Sequence, residues 1–388
     1  LLDIVVIGGG INGAGIAQAA QAAGYRTLLL ERGEFGGQTS RNSSKLIHGG
    51  LRYLESGQID LVRQSLRERQ SLLKLAPSLV KPVKFYIPIY QHSRRGALTI
   101  AAGLSAYALL SELNPLGRFT TVARPKWPKL SGLKQSGLNR VFQYWDAQTD
   151  DKALTQAVIN SAQSLGTRVL SQAEVLSIEH LADGCSLQYQ HQGQRQQVRS
   201  QMIVNAAGPW VTELLSRVTP PLKPPPLSLV QGSHLVLDIA APAGVFYIES
   251  IFDERVIFVM PWHGKTLVGT TETPIASIEQ KGMTAAEQQY LLANYRHYFA
   301  ANMSEQQLVE KVSGQFCGVR VLPAFDSQAF SQSRETLLHI KPSHPRLLSV
   351  YGGKLTTYKH TAQQTLQQLS MVLGPRQTIA DVEQLILR

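Results

Sequence analysis

The sequence predicts an α/β protein in two parts: a discontinuous Rossmann-like domain assembled from both ends of the chain, and an α+β domain with an antiparallel or mixed sheet. Three observations predict it. An apolar run turns on glycines into a helix at Asp3–Gly13; strand-like alternation follows a stiff connector at Pro220–Pro226; and a second glycine turn, Gly352-Gly353, opens another helix more than three hundred residues after the first. The expected division is 1–80, 145–225 and 340–388 for the first domain, and 81–144 and 226–339 for the second.

The opening turn reads as a dinucleotide-phosphate cradle. Gly8 allows the tight turn, Gly10 and Asn12 sit where backbone approaches a pyrophosphate, and Gly13 removes the Cβ where helix meets strand. A helix is expected over Ile11–Ala23 and a second strand over Arg26–Leu30. That strand ends at Glu31, eighteen residues beyond Gly13, where a ribose 2′-OH needs an acceptor. The stretch from Gly36 to Tyr53 is too rich in Gly, Ser, His and Arg for a plain connector. Its hydroxyls and glycine N–H groups suit phosphate and ring contacts.

Asp60–Leu75 follows as an amphipathic helix, with Leu61, Leu66, Leu72, Leu73 and Leu75 opposite Arg63, Arg67, Glu68 and Arg69. From Lys81 to Arg140 basic residues are opposed by the single acid Glu112, and an apolar helix, Leu98–Leu110, lies among them. Either this helix enters one leaflet of an anionic membrane or it is a core helix under a solvated basic face. The local asymmetry favours the membrane, with Trp127 and Tyr107 as interface aromatics.

The helix Lys152–Leu165 leads to short strands at Thr167–Leu170, Ala173–His180, Ser186–Tyr189, Gln197–Ser200 and Met202–Asn205. The last of these runs into Ala206-Ala207-Gly208-Pro209-Trp210, small residues that let backbone approach a ligand. Beyond the prolines, Ser233–Leu237, Arg255–Met260 and Thr266–Thr270 alternate as a separate antiparallel sheet. Thr284–Ala300 is helical, and a final helix is expected over Leu355–Leu369.

With 388 residues and a formal charge of +11, the chain needs an anionic partner: nucleic acid, membrane surface or phosphorylated substrate. No nucleic-acid module is recognisable. Cys185 and Cys317 are too few for a disulfide framework and have no metal-ligand spacing, so no metal and a reducing, cytosolic compartment are expected. No run reaches the roughly 18 apolar residues of a spanning helix. Because the first residues already form a strand, no signal peptide is expected; a start at Leu1 points to a few missing residues.

Taken together, several segments resemble the D-amino-acid-oxidase-like superfamily of FAD enzymes, and more closely the aerobic, quinone-linked glycerol-3-phosphate dehydrogenases. They are Ile7–Ile16, Ser43–Leu54, Asn205–Val211, Gly232-Ser233-His234, Gly269-Thr270-Thr271, Gly318-Val319-Arg320 and Gly352–Tyr358. The resemblance implies FAD held by Gly8, Gly10, Asn12, Gly13, Glu31 and Arg32; by Thr39, Ser40, Ser43, Ser44, Lys45, His48 and Gly49; by Val175, Ala206, Ala207, Gly208 and Trp210; and by Gly353, Lys354, Leu355 and Thr356. It implies oxidation of sn-glycerol 3-phosphate to dihydroxyacetone phosphate and transfer of electrons to a membrane quinone. The expected location is peripheral, on the cytoplasmic side of the inner membrane, with a soluble cytoplasmic protein as the fallback. A homodimer is left open. The family's C-terminal helical domain is expected to be absent, and its Gly-Val-Arg-Pro reads Gly318-Val319-Arg320-Val321 here.

A phosphate dianion needs several cations, preferably guanidinium forks. Arg320 and Arg334 carry over as the clamp, with Arg52, Tyr53 and the Thr270 hydroxyl beside them. His48 has the unperturbed pKa for taking the hydroxyl proton, and Lys354 with the N–H groups at Gly353–Thr356 suits charge that gathers on a flavin. Two other readings stay open: a related oxidase of a hydroxy or amino acid that uses oxygen, and a catalytically silent flavin-binding module on a membrane.

Overall fold

A computed structural model describes residues 1–112, 114–323 and 336–388. Its helices are α1 (Ile11–Ala22), α2 (Ile59–Leu75), α3 (Ala97–Leu110), α4 (Asp151–Ser164), α5 (Val211–Leu215), α6 (Ala285–Phe299), α7 (Glu305–Glu310) and α8 (Tyr358–Leu373). The described strands form two sheets, of nine and ten strands.

The first sheet is centred on Leu2–Ile7, which pairs in parallel with Thr27–Leu30 on one side and with Gln194–Asn205 on the other. Side chains alternate across a strand, so this one feeds two cores. Ile4 and Val6 pack under α1, α4 and α8. Val5 and Ile7 pack against the antiparallel layer that contains Val175, Ile178 and Leu187. Leu347–Tyr351 joins the other edge of Gln194–Asn205, so the sheet closes only with residues near both ends of the chain. The two short strands expected at Gln197–Ser200 and Met202–Asn205 are one strand. Its polar first half pairs with Gly184–His191 and its buried second half with Leu2–Ile7, and the change in composition marks a change of neighbour rather than a turn.

The second sheet is mostly antiparallel, with one parallel contact between Val245–Phe246 and Phe85–Tyr86, and is therefore mixed. Val312–Pro323 runs the length of Leu227–Ala240. Leu138–Thr149 belongs wholly to this sheet, as does the short strand Leu46–Ile47 that pairs with it. The two sheets nonetheless change over where the prolines stand, between Val218–Thr219 and Leu227.

Three expectations need correction. Glu68 and Arg69 are buried in α2 rather than on its solvent face: Arg69 donates to Asp146 Oδ1 at 2.5 Å, and burial pushes Glu68 up to about 7. The interface aromatics are also buried. Tyr107 points inward from α3, and Trp127 donates its indole N–H to Val122 O at 3.1 Å. The helix α3 itself is two-faced: Ile100, Leu104 and Tyr107 are core, whereas Leu98 and Leu109 are exposed at 87% and 66%. Finally, α8 starts at Tyr358, so Gly353–Thr356 form the turn ahead of it and not its first turn.

Glu287 of α6 knits the second sheet to its helical layer. Buried at the head of the helix, it accepts Ser233 Oγ at 2.9 Å, Thr271 Oγ1 and Thr273 Oγ1 at 2.7 Å each, and Thr284 N–H at 3.0 Å. Burial opposes its charge, but these donors outweigh burial and hold the carboxyl at about 2. A group depressed in the folded state contributes stability above its unfolded pKa and loses it as pH falls toward the folded one. The shift corresponds to on the order of 3 kcal/mol. Glu287→Gln should lower unfolding stability at pH 7 by about 2–3 kcal/mol and flatten the loss of stability between roughly pH 5 and pH 2, read by denaturant titration across that range.

Candidate active site

Where the first sheet's parallel strands end, a cavity of 390 Å³ opens against the inner face of the second sheet. Its floor is backbone. Gly8 has φ +110° and a Cβ there would stand 2.4 Å from Ala206 O; one on Gly13 would stand 1.9 Å from Gly8 O. Gly10 caps α1 without a side-chain bond, and the Ile11 N–H donates to Ser40 Oγ at 2.9 Å. Asn12 Nδ2 donates to Gly352 O at 3.1 Å and so ties the two glycine turns together. Its Oδ1 is buried with no hydrogen-bond partner among the described residues.

Around this floor the expected residues divide into wall and support. Glu31 is on the wall, its two oxygens accepting Gly9 N–H at 2.6 Å and Gly33 N–H at 2.7 Å. Arg32 lies over the Trp210 ring at 4.3 Å, both on the wall with Val175, Ala206, Ala207 and Gly208. Thr39, Ser40, Ser43 and Ser44 line the opposite side, with Gly353, Leu355 and Thr356. Thr39 Oγ1 donates to Val319 O at 2.9 Å and locks this loop to the second sheet.

Lys45 and Gly49 lie behind the wall. The ammonium of Lys45 is buried and spent on Asp151, at 2.8 and 2.9 Å from its two oxygens, and on Arg41 O. Asp151 also takes the Ser43 hydroxyl at 2.7 Å, so one carboxylate pins the whole Ser43–Lys45 corner. The Gly49 N–H donates to Tyr107 Oη at 2.8 Å. Gly13 packs beneath Gly8, and Arg52 is on the turn Leu51–Leu54 but off the cavity wall.

Four of the expected reaction groups line the cavity. His48, Tyr53, Arg320 and Lys354 all face the cavity, with Lys354 Nζ 3.8 Å over the Tyr53 ring. Arg320 Nη1 donates to Glu272 Oε1 at 3.2 Å. Gly232 keeps the space beside it clear, because a Cβ there would meet Thr270 Oγ1 at 2.7 Å and Arg320 Nη2 at 3.1 Å. Thr270 therefore stands next to Arg320, although its own hydroxyl donates to Thr271 O. Arg334 lies outside the described residues.

His234 is a wall residue that the sequence analysis did not assign. It is 1% exposed, stacks on Phe316 at 4.8 Å, and shares a 2.9 Å hydrogen bond between Nε2 and Ser44 Oγ. Burial, then Arg320 and Lys45, push its imidazole down to about 3, so it is neutral at physiological pH. The signal was its place in Gly232-Ser233-His234; that it faces inward depends on the register with Gly269.

The site fits a flavin dinucleotide: two Cβ-free turns for a diphosphate, an orphaned amide oxygen between them, and an acidic side chain at the end of the second strand. Fold and site define a dinucleotide-dependent oxidoreductase. The chain belongs to the FAD dependent oxidoreductase family, whose model matches residues 3–359, and FAD is its cofactor. It is 35% identical over 389 residues to a glycerol-3-phosphate dehydrogenase of Synechocystis sp., covering 95% of this chain and 69% of that one. To the D-erythritol 1-phosphate dehydrogenase of Brucella abortus it is 31% identical, covering 95% and 74%. The crystal structure of the glycerol-3-phosphate dehydrogenase from Bacillus halodurans complexed with FAD superposes with a TM-score of 0.74 at 26% identity, covering all of this chain and 67% of that one.

Gly13→Ala should purify colourless, with FAD affinity down at least about 100-fold, or about 3 kcal/mol, whereas Gly282→Ala, where a Cβ meets nothing within 4 Å, should stay yellow. The ratio of flavin to protein absorbance checks both.

Proposed function

We propose that this enzyme oxidises sn-glycerol 3-phosphate to dihydroxyacetone phosphate and passes the electrons to a membrane quinone. The observation that carries the reading is that Arg320 and Lys354 line the same cavity as His48 and a neutral His234. Together these two cations suit a phosphate better than a lone carboxylate. Relatives that share about a third of its residues are dehydrogenases of phosphorylated polyols by name.

FAD supplies the hydride acceptor at its N5. The residues of this chain do the rest. Arg320, held by Glu272, binds the phosphate with Tyr53, Thr270 and Arg334, and Arg52, off the wall on the same turn as Tyr53, adds its charge from behind. His48 takes the proton of the C2 hydroxyl as the C2 hydrogen leaves with its electron pair. Lys354, fixed over the Tyr53 ring, supplies positive charge where negative charge gathers. His234 stays neutral and holds Ser44.

The anionic lipid surface is the second partner. No helix among the described residues is long and apolar enough to cross a membrane. The outer face of α3 instead presents Leu98 and Leu109, with exposed Arg118, Arg124, Lys126 and Lys129 further along the same basic stretch. This pairing of apolar and basic surface suits a headgroup layer.

Anaerobic mixing with sn-glycerol 3-phosphate should bleach the flavin band, and glycerol should not. Arg320→Ala should lower kcat/KM at least about 100-fold, or about 3 kcal/mol. Failure to bleach with any phosphorylated polyol refutes the substrate; peroxide formed mole for mole with substrate would reassign the enzyme as an oxidase. Binding to anionic vesicles should weaken as salt rises and disappear when Arg118, Arg124, Lys126 and Lys129 are neutralised together. Flotation assays read this directly.

A further inference from the structure

The buried face of α3 is fastened to the segment that carries His48 and Tyr53. Tyr107 has no exposed surface; its hydroxyl donates to Asp146 Oδ2 at 2.7 Å and accepts the Gly49 N–H at 2.8 Å. Asp146 Oδ1 takes Arg69 Nη1 at 2.5 Å, and both side chains are 1% exposed. Arg69 also donates to Trp145 O at 3.2 Å. Charge and hydrogen-bond direction agree along this line. Burial, reinforced by Asp146, pushes the Tyr107 phenol far above its ordinary value and keeps its proton in place. Burial works against the Arg69 charge, but Asp146 outweighs it and holds the guanidinium above its usual value.

The same helix holds the segment at two further points. Ile100 and Leu104 share a core with Leu51, and Arg95, just ahead of α3, pairs with Glu55 at 2.9 Å and with Glu249 at 3.1 Å. The contact at Gly49 is the one nearest the chemistry, since His48 precedes it and Gly50, with φ +76°, turns the chain into Leu51–Leu54. Gly49 itself has no room for another atom. A Cβ there would stand 2.5 Å from Tyr107 Oη and 2.7 Å from Leu66 Cδ2.

We propose that Tyr107, braced by Asp146 and Arg69, is a positioning residue for the reaction: through the Gly49 N–H it sets His48 against the cavity. It touches neither cofactor nor substrate. A phenol suits this place because one hydroxyl accepts from an amide and donates to a carboxylate at once, which Phe cannot do. What the segment is positioned for rests on the reading proposed above; that Tyr107 fixes it does not.

The test uses the FAD-loaded enzyme and Tyr107→Phe, which keeps the ring and removes the hydroxyl. Hydrogen exchange across residues 46–54 should accelerate at least about tenfold, with α1 unchanged and flavin content retained. Bleaching by saturating sn-glycerol 3-phosphate should slow at least about tenfold, with the half-saturating concentration within about threefold. In a His48→Gln background the same substitution should slow bleaching no further. Gly49→Ala presses on the contact from the other side and should give the same pair of changes, so the proposal stays testable if Tyr107→Phe does not fold. Unchanged exchange at 46–54, or a Tyr107→Phe effect that persists undiminished without His48, overturns the proposal. If the wild type is not bleached at all, the substrate reading fails and the exchange result alone decides the positioning.

Discussion

A site for a dinucleotide requires backbone to approach ligand with nothing between, and here that constraint is met by contacts in which a single methyl group has no place. Gly13 lies on the Gly8 carbonyl, Gly8 on Ala206, and Gly353, at φ +99°, on Asn12. The parallel order of the central strands follows, because only that order brings four strand ends and two glycine turns to one edge. Asn12 completes the arrangement by bonding to Gly352, 340 residues away. The two cores on either side of Leu2–Ile7 hold that edge still.

The remaining walls are set by buried carboxylates that stay outside the cavity. Asp151 fixes Ser43–Lys45, Asp146 reaches Gly49 through Tyr107, and Glu287 gathers Ser233, Thr271 and Thr273. A buried charge is tolerated only when its lone pairs are filled, so each carboxylate permits few arrangements of its donors. Geometry at the wall is thus specified from behind it. The neutral His234 obeys the same logic in reverse: crowded by burial, Arg320 and Lys45, it gives up its charge rather than its place.

Features with a local signature were legible in the sequence. The glycine turns, Glu31 after the second strand and the helix Thr284–Ala300 all stand where periodicity and turn residues put them, because each is announced by residues within its own segment. What escaped depends on partners far along the chain. The bond from Lys45 to Asp151 spans 106 residues, and Arg69 reads as a surface arginine because Asp146 is 77 away. Tyr107 and Trp127 read as interface aromatics for the same reason: composition marks a segment as apolar and basic, but which face turns inward is decided by the sheet beneath. His234 lay in a motif already noted, yet strand register alone turned it toward the cavity.

The order of strands in the first sheet also bears on biosynthesis. Among the described residues, Leu347–Tyr351 alone fills one pairing edge of Gln194–Asn205, and Asn12 donates to Gly352 O. A ribosome that has released the first three hundred or so residues has therefore produced most of the second sheet but an incomplete first one, with an open edge beside apolar strands. Such edges invite pairing with other chains, and closing them waits on contacts of long sequence separation. The cofactor site is accordingly complete only once Leu347–Gly352 has been made, and its assembly coincides with the meeting of two segments 340 residues apart.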